Sequence, residues 1–411
     1  MSKKVLRHLS EVITLAPLKK NSKFVGISES DLGRLCNDPY IVFDNHTILE
    51  IGEGIPSSQY RQVAELDGQG GIAMPGLIDA HTHPIFAGSR SNEFCMRLDG
   101  KTYQDIAAAG GGIQATIKAT ATATDHELKA LLKQRFDTAL GHGVTSMEVK
   151  SGYAATVDEE LRHLRILRDV GQQHSLHTSV TCLALHAVPP GQPSALAWSE
   201  KCAKDLLPKV KKENLATAVD VFIEKGYFSI TDATPFLDAA KKLGLGIRIH
   251  ADEFSDARAA LCAAQYQALS ADHLQFASLE GINLMAASGV CALLLPGTSV
   301  YTSIPYTNGR RFVEAGCPVG LATDFNPGSC PIDNLRLILT LGALHCRLSM
   351  AEAMAAVTWI PARALRLESR KGALCAGMDS DILVMPMPTL EDFVADFGKT
   401  SPLRVVSNIT N

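Results

Sequence analysis

The stretch PGLIDAHTHPIFAGSR, residues 75–90, starts as an apolar run of strand length and continues directly into two histidines separated only by Thr82. In extended chain successive side chains alternate between faces, so His81 and His83 share one face and Thr82 takes the other. Two imidazoles crowded onto the inward face of a strand are poor core material unless something binds them. A single histidine at a strand end is ordinarily a hydrogen-bonded structural residue. The pair points instead to a metal, and neutral imidazole nitrogen suits zinc or iron.

Working outward from GLIDAHTH (76–83), seven more apolar runs of strand length follow: VTSMEVKSGY (144–153), HTSVTCLALH (177–186), AVDVFIEKG (218–226), LGIRIHADE (245–253), ALSADHL (268–274), GVCALLLPG (289–297) and PVGLATDFN (318–326). Helix-like segments lie between them. DHELKALLKQRFDTALGHG (125–143) opens on acidic residues and stops at glycine, as does DEELRHLRILRDVG (158–171); ITDATPFLDAAKKLG (230–244) has a Thr/Asp start and a glycine stop. Eight nearly continuous apolar strands alternating with helices predict an α/β fold, a parallel (β/α)8 barrel over residues 71–369.

Residues 1–70 lack helical periodicity and read as short strands and turns, including KKVLRHLSEVITLAP (3–17), SKFVGISESDLGRLC (22–36) and YIVFDNHTILEIGEG (40–54). After the barrel, SMAEAMAAVTWIPARALRL (349–367) reads as helical and KGALCAGMDSDILVMP (371–386) returns to strand. The two ends, 1–70 and 370–411, are thus expected to pair into one small β domain beside the barrel.

A chain of 411 residues with 46% hydrophobic and 20% charged residues can bury a sizeable core. The net charge of −4, with both signs scattered, argues against a nucleic-acid surface. Glu11 interrupts the first apolar run before it could serve a secretion signal, and LMAASGVCALLLPG (284–297) is too short to span a bilayer. The expectation is a soluble cytoplasmic protein without a membrane partner. None of the ten cysteines lies in a C-x-x-C pair, so they read as small buried hydrophobes.

In a parallel barrel, sites assemble at the C-terminal strand ends. There the sequence places His81 and His83 on the first strand, Tyr153 on the second and His186 on the third. It adds His250 with Glu253 beyond it on the fifth, His273 on the sixth, and Asp324 with Asn326 on the eighth. His81, His83, His250 and Asp324 form a candidate metal set of three nitrogens and a carboxylate, with a position left for water. The chemistry that follows is metal-assisted hydrolysis at a carbon bonded to nitrogen, in which Asp324 accepts the proton of water, His273 polarises a carbonyl and Glu253 helps protonate a leaving nitrogen. Spacing does not separate amide opening from deamination. Arg90, on the loop after the first strand, could clamp a substrate carboxylate and would favour a small anionic substrate. As a lone surface arginine it would mean nothing. Lys150 raises the possibility of a carbamylated bridge between two metals, but it has no evident second-metal partner. His8, His46, His126, His142, His163, His174, His177 and His345 read as ordinary surface or packing residues.

MPGLIDAHTHP (74–84), IHADE (249–253), SADHL (270–274) and LATDFNPGS (321–329) together resemble the amidohydrolase superfamily. THPIFAGSR, GGGI, EVKSGY, HAVPP, VDVFIEKGYFS and LLPGTSVY are similar, within it, to the family that opens the ring of 4-imidazolone-5-propanoate in histidine degradation. The resemblance runs from about residue 70 to the end. It implies a barrel with a small β-sandwich domain built from both chain ends and one zinc or iron per chain. The implied ligands are His81, His83, His250 and Asp324. Substrate contacts are implied at Arg90, Tyr153, His186, Glu253, Asn326, Gly328 and Ser329, and a homodimer is the implied assembly. Ala154, Ala184-Leu185 and Ile223 depart from the family pattern, the first two beside the expected pocket. Two alternatives stay open: a related heterocycle deaminase, which would not need the Arg90 clamp, and a barrel that has lost catalysis and serves a structural role.

Overall fold

The computed structural model describes residues 3–20, 26–101, 105, 109–398, 402 and 404–406. Its centre is an eight-stranded, all-parallel sheet in which each strand pairs with the next in sequence. The strands are β1 (Leu77–Asp79), β2 (Val144–Lys150), β3 (His177–Leu185), β4 (Ala218–Ile223), β5 (Gly246–Ala251), β6 (Ser270–His273), β7 (Cys291–Leu294) and β8 (Val319–Leu321). Each falls inside one of the eight runs read from the sequence. Apart from the start of β3, every residue in them is buried, as expected of strands covered by helices outside and side chains inside.

The ladders are shorter than the apolar runs, and the difference is informative. Tyr153 and Glu253 lie beyond the ends of β2 and β5, where the chain leaves its neighbours and turns side chains toward the mouth of the barrel. Beyond β1 the chain stays extended and is held from both sides. Lys150 donates its amide to Thr82 O (3.0 Å), Asp324 donates to His81 O (3.0 Å), and His83 donates to Phe325 O (2.9 Å). The Thr82–Phe325 bridge joins the first strand to the eighth, so the sheet closes where His81, His83 and Asp324 stand. Lower in that seam Asp79 accepts from the amide and hydroxyl of Thr323, at 3.1 and 2.6 Å.

The connecting helices begin where the sequence supplies caps. Thr124 and Glu127 form a reciprocal capping box at Asp125–Gly141, Thr156 caps Val157–Gln173, and Ser229 with Asp232 opens Ile230–Lys242. The segment read as one helix over 349–367 is two, Met350–Ala356 and Trp359–Ala364, broken where Thr358 leaves helical geometry.

Both chain ends build one neighbouring β region. A four-stranded sheet runs in the order Ile48–Glu53, Pro39–Phe43, Lys4–Arg7, Ala64–Asp67. A five-stranded sheet runs Arg404–Val406, Ile382–Met385, Ile72–Pro75, Glu11–Ile13, Arg34–Leu35. Leu6, Ile41 and Phe43 of the first sheet share a core with Val12, Ala73, Ile382 and Val384 of the second. The stretch 22–36, read as short strands and turns, lies partly outside the described residues; its described part includes a 3-10 turn, Glu29–Leu32, and the two-residue strand Arg34–Leu35. All ten cysteines are free thiols and seven of them are buried.

Candidate active site

Local alternation does at the end of β1 what the sequence pattern requires. Thr82 turns away, its hydroxyl donating to Glu148 O (2.5 Å) and its amide to the Glu148 carboxylate (3.2 Å), while His81 and His83 face the barrel axis together. His250 rises from β5, and Asp324 follows β8 with a left-handed backbone, φ 55°, a conformation that aspartate tolerates. Their tips converge. His81 Nε2 is 3.2 Å from His83 Nε2, which is 3.4 Å from His250 Nε2. Asp324 Oδ1 lies 3.5 Å from His81 Nε2 and 3.3 Å from His83 Nε2. Four donors at ~2.0–2.1 Å from a common centre in tetrahedral array sit about 3.3–3.4 Å apart. These separations fall near that range; among the described residues His81, His83 and His250 form one group that could hold a metal ion and His81, His273 and Asp324 another, and imidazole with carboxylate donors suits zinc or iron.

The electrostatics agree. Burial holds His81 well below its ordinary pKa and also lowers His83, so both present neutral nitrogens. Burial alone would raise Asp324, but hydrogen bonding to His81 and His83 outweighs it and keeps the carboxylate anionic, well below the usual range. Behind the ligands stands a layer that sequence reading missed. Asp272 on β6 bonds His81 Nδ1 at 2.6 Å, and Asp220 on β4 lies 3.1 Å from His250 Nδ1. With Nδ1 of each ring facing a carboxylate, Nε2 is left as the ligand nitrogen. The available signal was an aspartate inside each apolar run, AVDVFI and SADH. Lys150, fully buried, makes ion pairs of 2.9 Å with both Glu148 and Asp220, so its ammonium is fixed as the counter-charge of this layer.

A cavity of about 350 Å³ opens above the cluster, and every site residue read from the sequence except His81 lines it. His81 lies deeper. His273 enters from β6 with φ 77°, and burial pushes its pKa down to about 3; its Nδ1 has no hydrogen-bond partner and is 3.7 Å from Glu253. Glu253 is pushed well above the usual carboxylate pKa by burial and then by the nearby charge of Asp324, which favours its protonated form. His186 stacks on His83 with ring centres 5.0 Å apart and pairs its Nδ1 with Gly152 O (3.3 Å). Tyr153 is buried against Phe86 and Ile117.

Arg90 reaches the cavity already paired. Its Nε and Nη2 hold Glu93 at 2.9 Å each, and Nη1 lies over Gly328, where a Cβ would fall 1.8 Å away. Asn326 shapes the loop that carries Gly328. Its Oδ1 accepts from the amides of Gly328 and Ser329 (2.8 Å each), and its Nδ2 donates to Asp324 O (2.7 Å) and Ser329 Oγ (2.9 Å). Asn326 and Ser329 thus bond each other within the loop. The cavity adds residues absent from the sequence reading, Arg97, Phe222 and Tyr227 among them. None of the eight histidines read as ordinary lines it.

The family model of the amidohydrolase family matches residues 72–408, and the chain belongs to that family. Its curated relatives narrow the placement. Imidazolonepropionase of Symbiobacterium thermophilum is 42% identical over 79% of this chain and 77% of its own length; that of Brevibacillus brevis is 37% identical over 98% and 96%. The membership is therefore with the imidazolonepropionases, which are hydrolases. Solved structures extend the fold further. A triazine hydrolase from Arthobacter aurescens superposes with TM-score 0.73 at 16% identity, covering 99% of this chain and 94% of its own. A 5-methylcytosine deaminase from Klebsiella pneumoniae gives 0.71 at 16%, covering 98% and 96%. Among the described residues no helix is long and apolar enough to cross a membrane.

Proposed function

We propose that this chain hydrolyses the ring carbon–nitrogen bond of 4-imidazolone-5-propanoate, giving N-formimidoyl-L-glutamate in histidine degradation. One observation carries the reading: a single cavity is lined both by the His83, His250, Asp324 cluster and by the Arg90 guanidinium. The name of the relatives supports the same substrate.

A zinc or iron ion held by His81, His83, His250 and Asp324 would supply Lewis-acid polarisation and bring the pKa of water to about 7. The chain's own groups do the rest. Water oxygen bonds to the ring carbonyl carbon, and Asp324, kept anionic, takes the proton released. Neutral His273 donates a hydrogen bond to the carbonyl oxygen as charge develops there. The bond from that carbon to the ring nitrogen then breaks, and Glu253, whose carboxyl is biased toward the protonated form by burial, gives the nitrogen its proton. Arg90 holds the propanoate, Tyr153 and His186 wall the ring, and the loop carrying Asn326, Gly328 and Ser329 backs the clamp.

The test follows the loss of imidazolone absorbance on adding enzyme, with and without a chelator. Turnover that chelation abolishes supports the reading, and no turnover with metal present sinks it. Replacing Arg90 with Met should raise KM roughly 10- to 100-fold; an unchanged KM would favour a deaminase that needs no clamp. We further propose a cytoplasmic homodimer, on family resemblance. Light scattering that returns the mass of one chain overturns the dimer.

A further inference from the structure

The Arg90 clamp has a charge problem. A carboxylate offers two oxygens with about four lone-pair sites, whereas one edge of the Arg90 fork is already closed by Glu93. Glu93 also neutralises Arg90 formally, and it accepts the Gly112 amide at 2.8 Å as well. A second guanidinium stands beside them. Arg97 lines the same cavity and donates Nη2 to Gly328 O at 3.2 Å, on the very residue over which Arg90 Nη1 lies. Among the described residues its Nη1 is buried without a hydrogen-bond partner, and its guanidinium rests over the Tyr301 ring at 5.6 Å. No ion pair to Arg97 exists among the described residues. Two guanidinia and one carboxylate leave one uncompensated positive charge at this end of the cavity.

We infer that Arg97 is a second arm of the carboxylate clamp and a specificity-determining residue, supplying the charge that Glu93 takes from Arg90. The inference rests on the substrate reading above. It also explains the buried Nη1, since an unpaired donor in such a place is unfavourable until an anion arrives. The sequence carried a faint signal: Arg90 and Arg97 are seven apart at the start and last turn of the helix Ser91–Leu98, two turns along one face.

The experiment compares two competitive inhibitors of the metal-loaded enzyme, 3-(imidazol-4-yl)propanoate and 4-methylimidazole, which differ by the carboxylate-bearing arm. Arg97→Met should weaken the propanoate about tenfold or more while moving 4-methylimidazole less than about twofold, and Arg97→Lys should restore part of the loss. Arg97→Gln serves if the methionine variant fails to fold. Equal weakening of both probes would make Arg97 part of the cavity architecture only and overturn the inference, as would no change in either. A wild-type enzyme that binds the two probes alike sinks the substrate reading along with it. A wild type that prefers the propanoate, with the preference intact in Arg97→Met, sinks this inference alone.

Discussion

At Gly328 a hydrogen stands where a methyl would meet the Arg90 fork, with Nη1 at 1.8 Å and Cζ at 2.3 Å from the would-be Cβ. The obstruction is the far end of a flexible side chain, so Gly328→Ala should fold normally and act on the clamp. We expect KM to rise about tenfold with a melting temperature close to that of the parent. An unchanged KM would show that Arg90 is not held in place for substrate. Asp324 tests the other end of the cavity. Asp324→Asn keeps shape and the Thr298 contact at 2.5 Å, but removes the anion between His81 and His83. Turnover should fall by about 10²–10⁴-fold with the fold intact, measured as kcat beside circular dichroism. Near-normal kcat would mean that another group accepts the proton.

Among the elements, the helix Val157–Gln173 carries a buried histidine that chemistry does not use. His163 is fully buried, neither ring nitrogen has a partner, and burial pushes its pKa down to about 4. The unfolded chain binds the proton more readily than the folded one, so this contribution to stability is whole above pH 6.5 and is lost as pH falls toward 4. His163→Gln should shrink the acid loss by about 2–3 kcal/mol at pH 4, read as the difference from parent in urea unfolding at pH 4 and 8. Equal losses in both proteins would contradict the assignment. Glu160 on the same helix, pushed up to about 7 by burial, favours folding in acid instead, which is why the difference is the quantity to measure. The elements themselves were largely legible, because eight apolar runs and the acidic helix starts between them are local patterns. Where each strand stops was not. The ladders of β2 and β5 end at Lys150 and Ala251 because the following residues turn toward a cavity that only the closed barrel creates.

At the scale of the molecule, the candidate metal ligands come from β5 and from both sides of the β1–β8 seam, so an ion bound there should stabilise the whole barrel. A ligand at 100 times its dissociation constant adds about 2.7 kcal/mol to unfolding. Removing metal with a chelator should therefore lower the unfolding temperature as well as abolish hydrolysis, and zinc or ferrous iron should restore both. A calorimetric transition indifferent to metal would place the ion elsewhere. The sequence by itself determined the barrel and put His81, His83, His250 and Asp324 toward the C-terminal ends of its apolar runs, because apolar runs and strand period are properties of neighbouring residues. Only the tertiary structure decided that Asp272 and Asp220 brace the histidines, that Lys150 balances them, that Glu93 closes half of Arg90 and that Arg97 stands beside it with its Nη1 free of a partner among the described residues. Charge pairing acts through space, and which charges meet depends on strands and loops far apart in the chain.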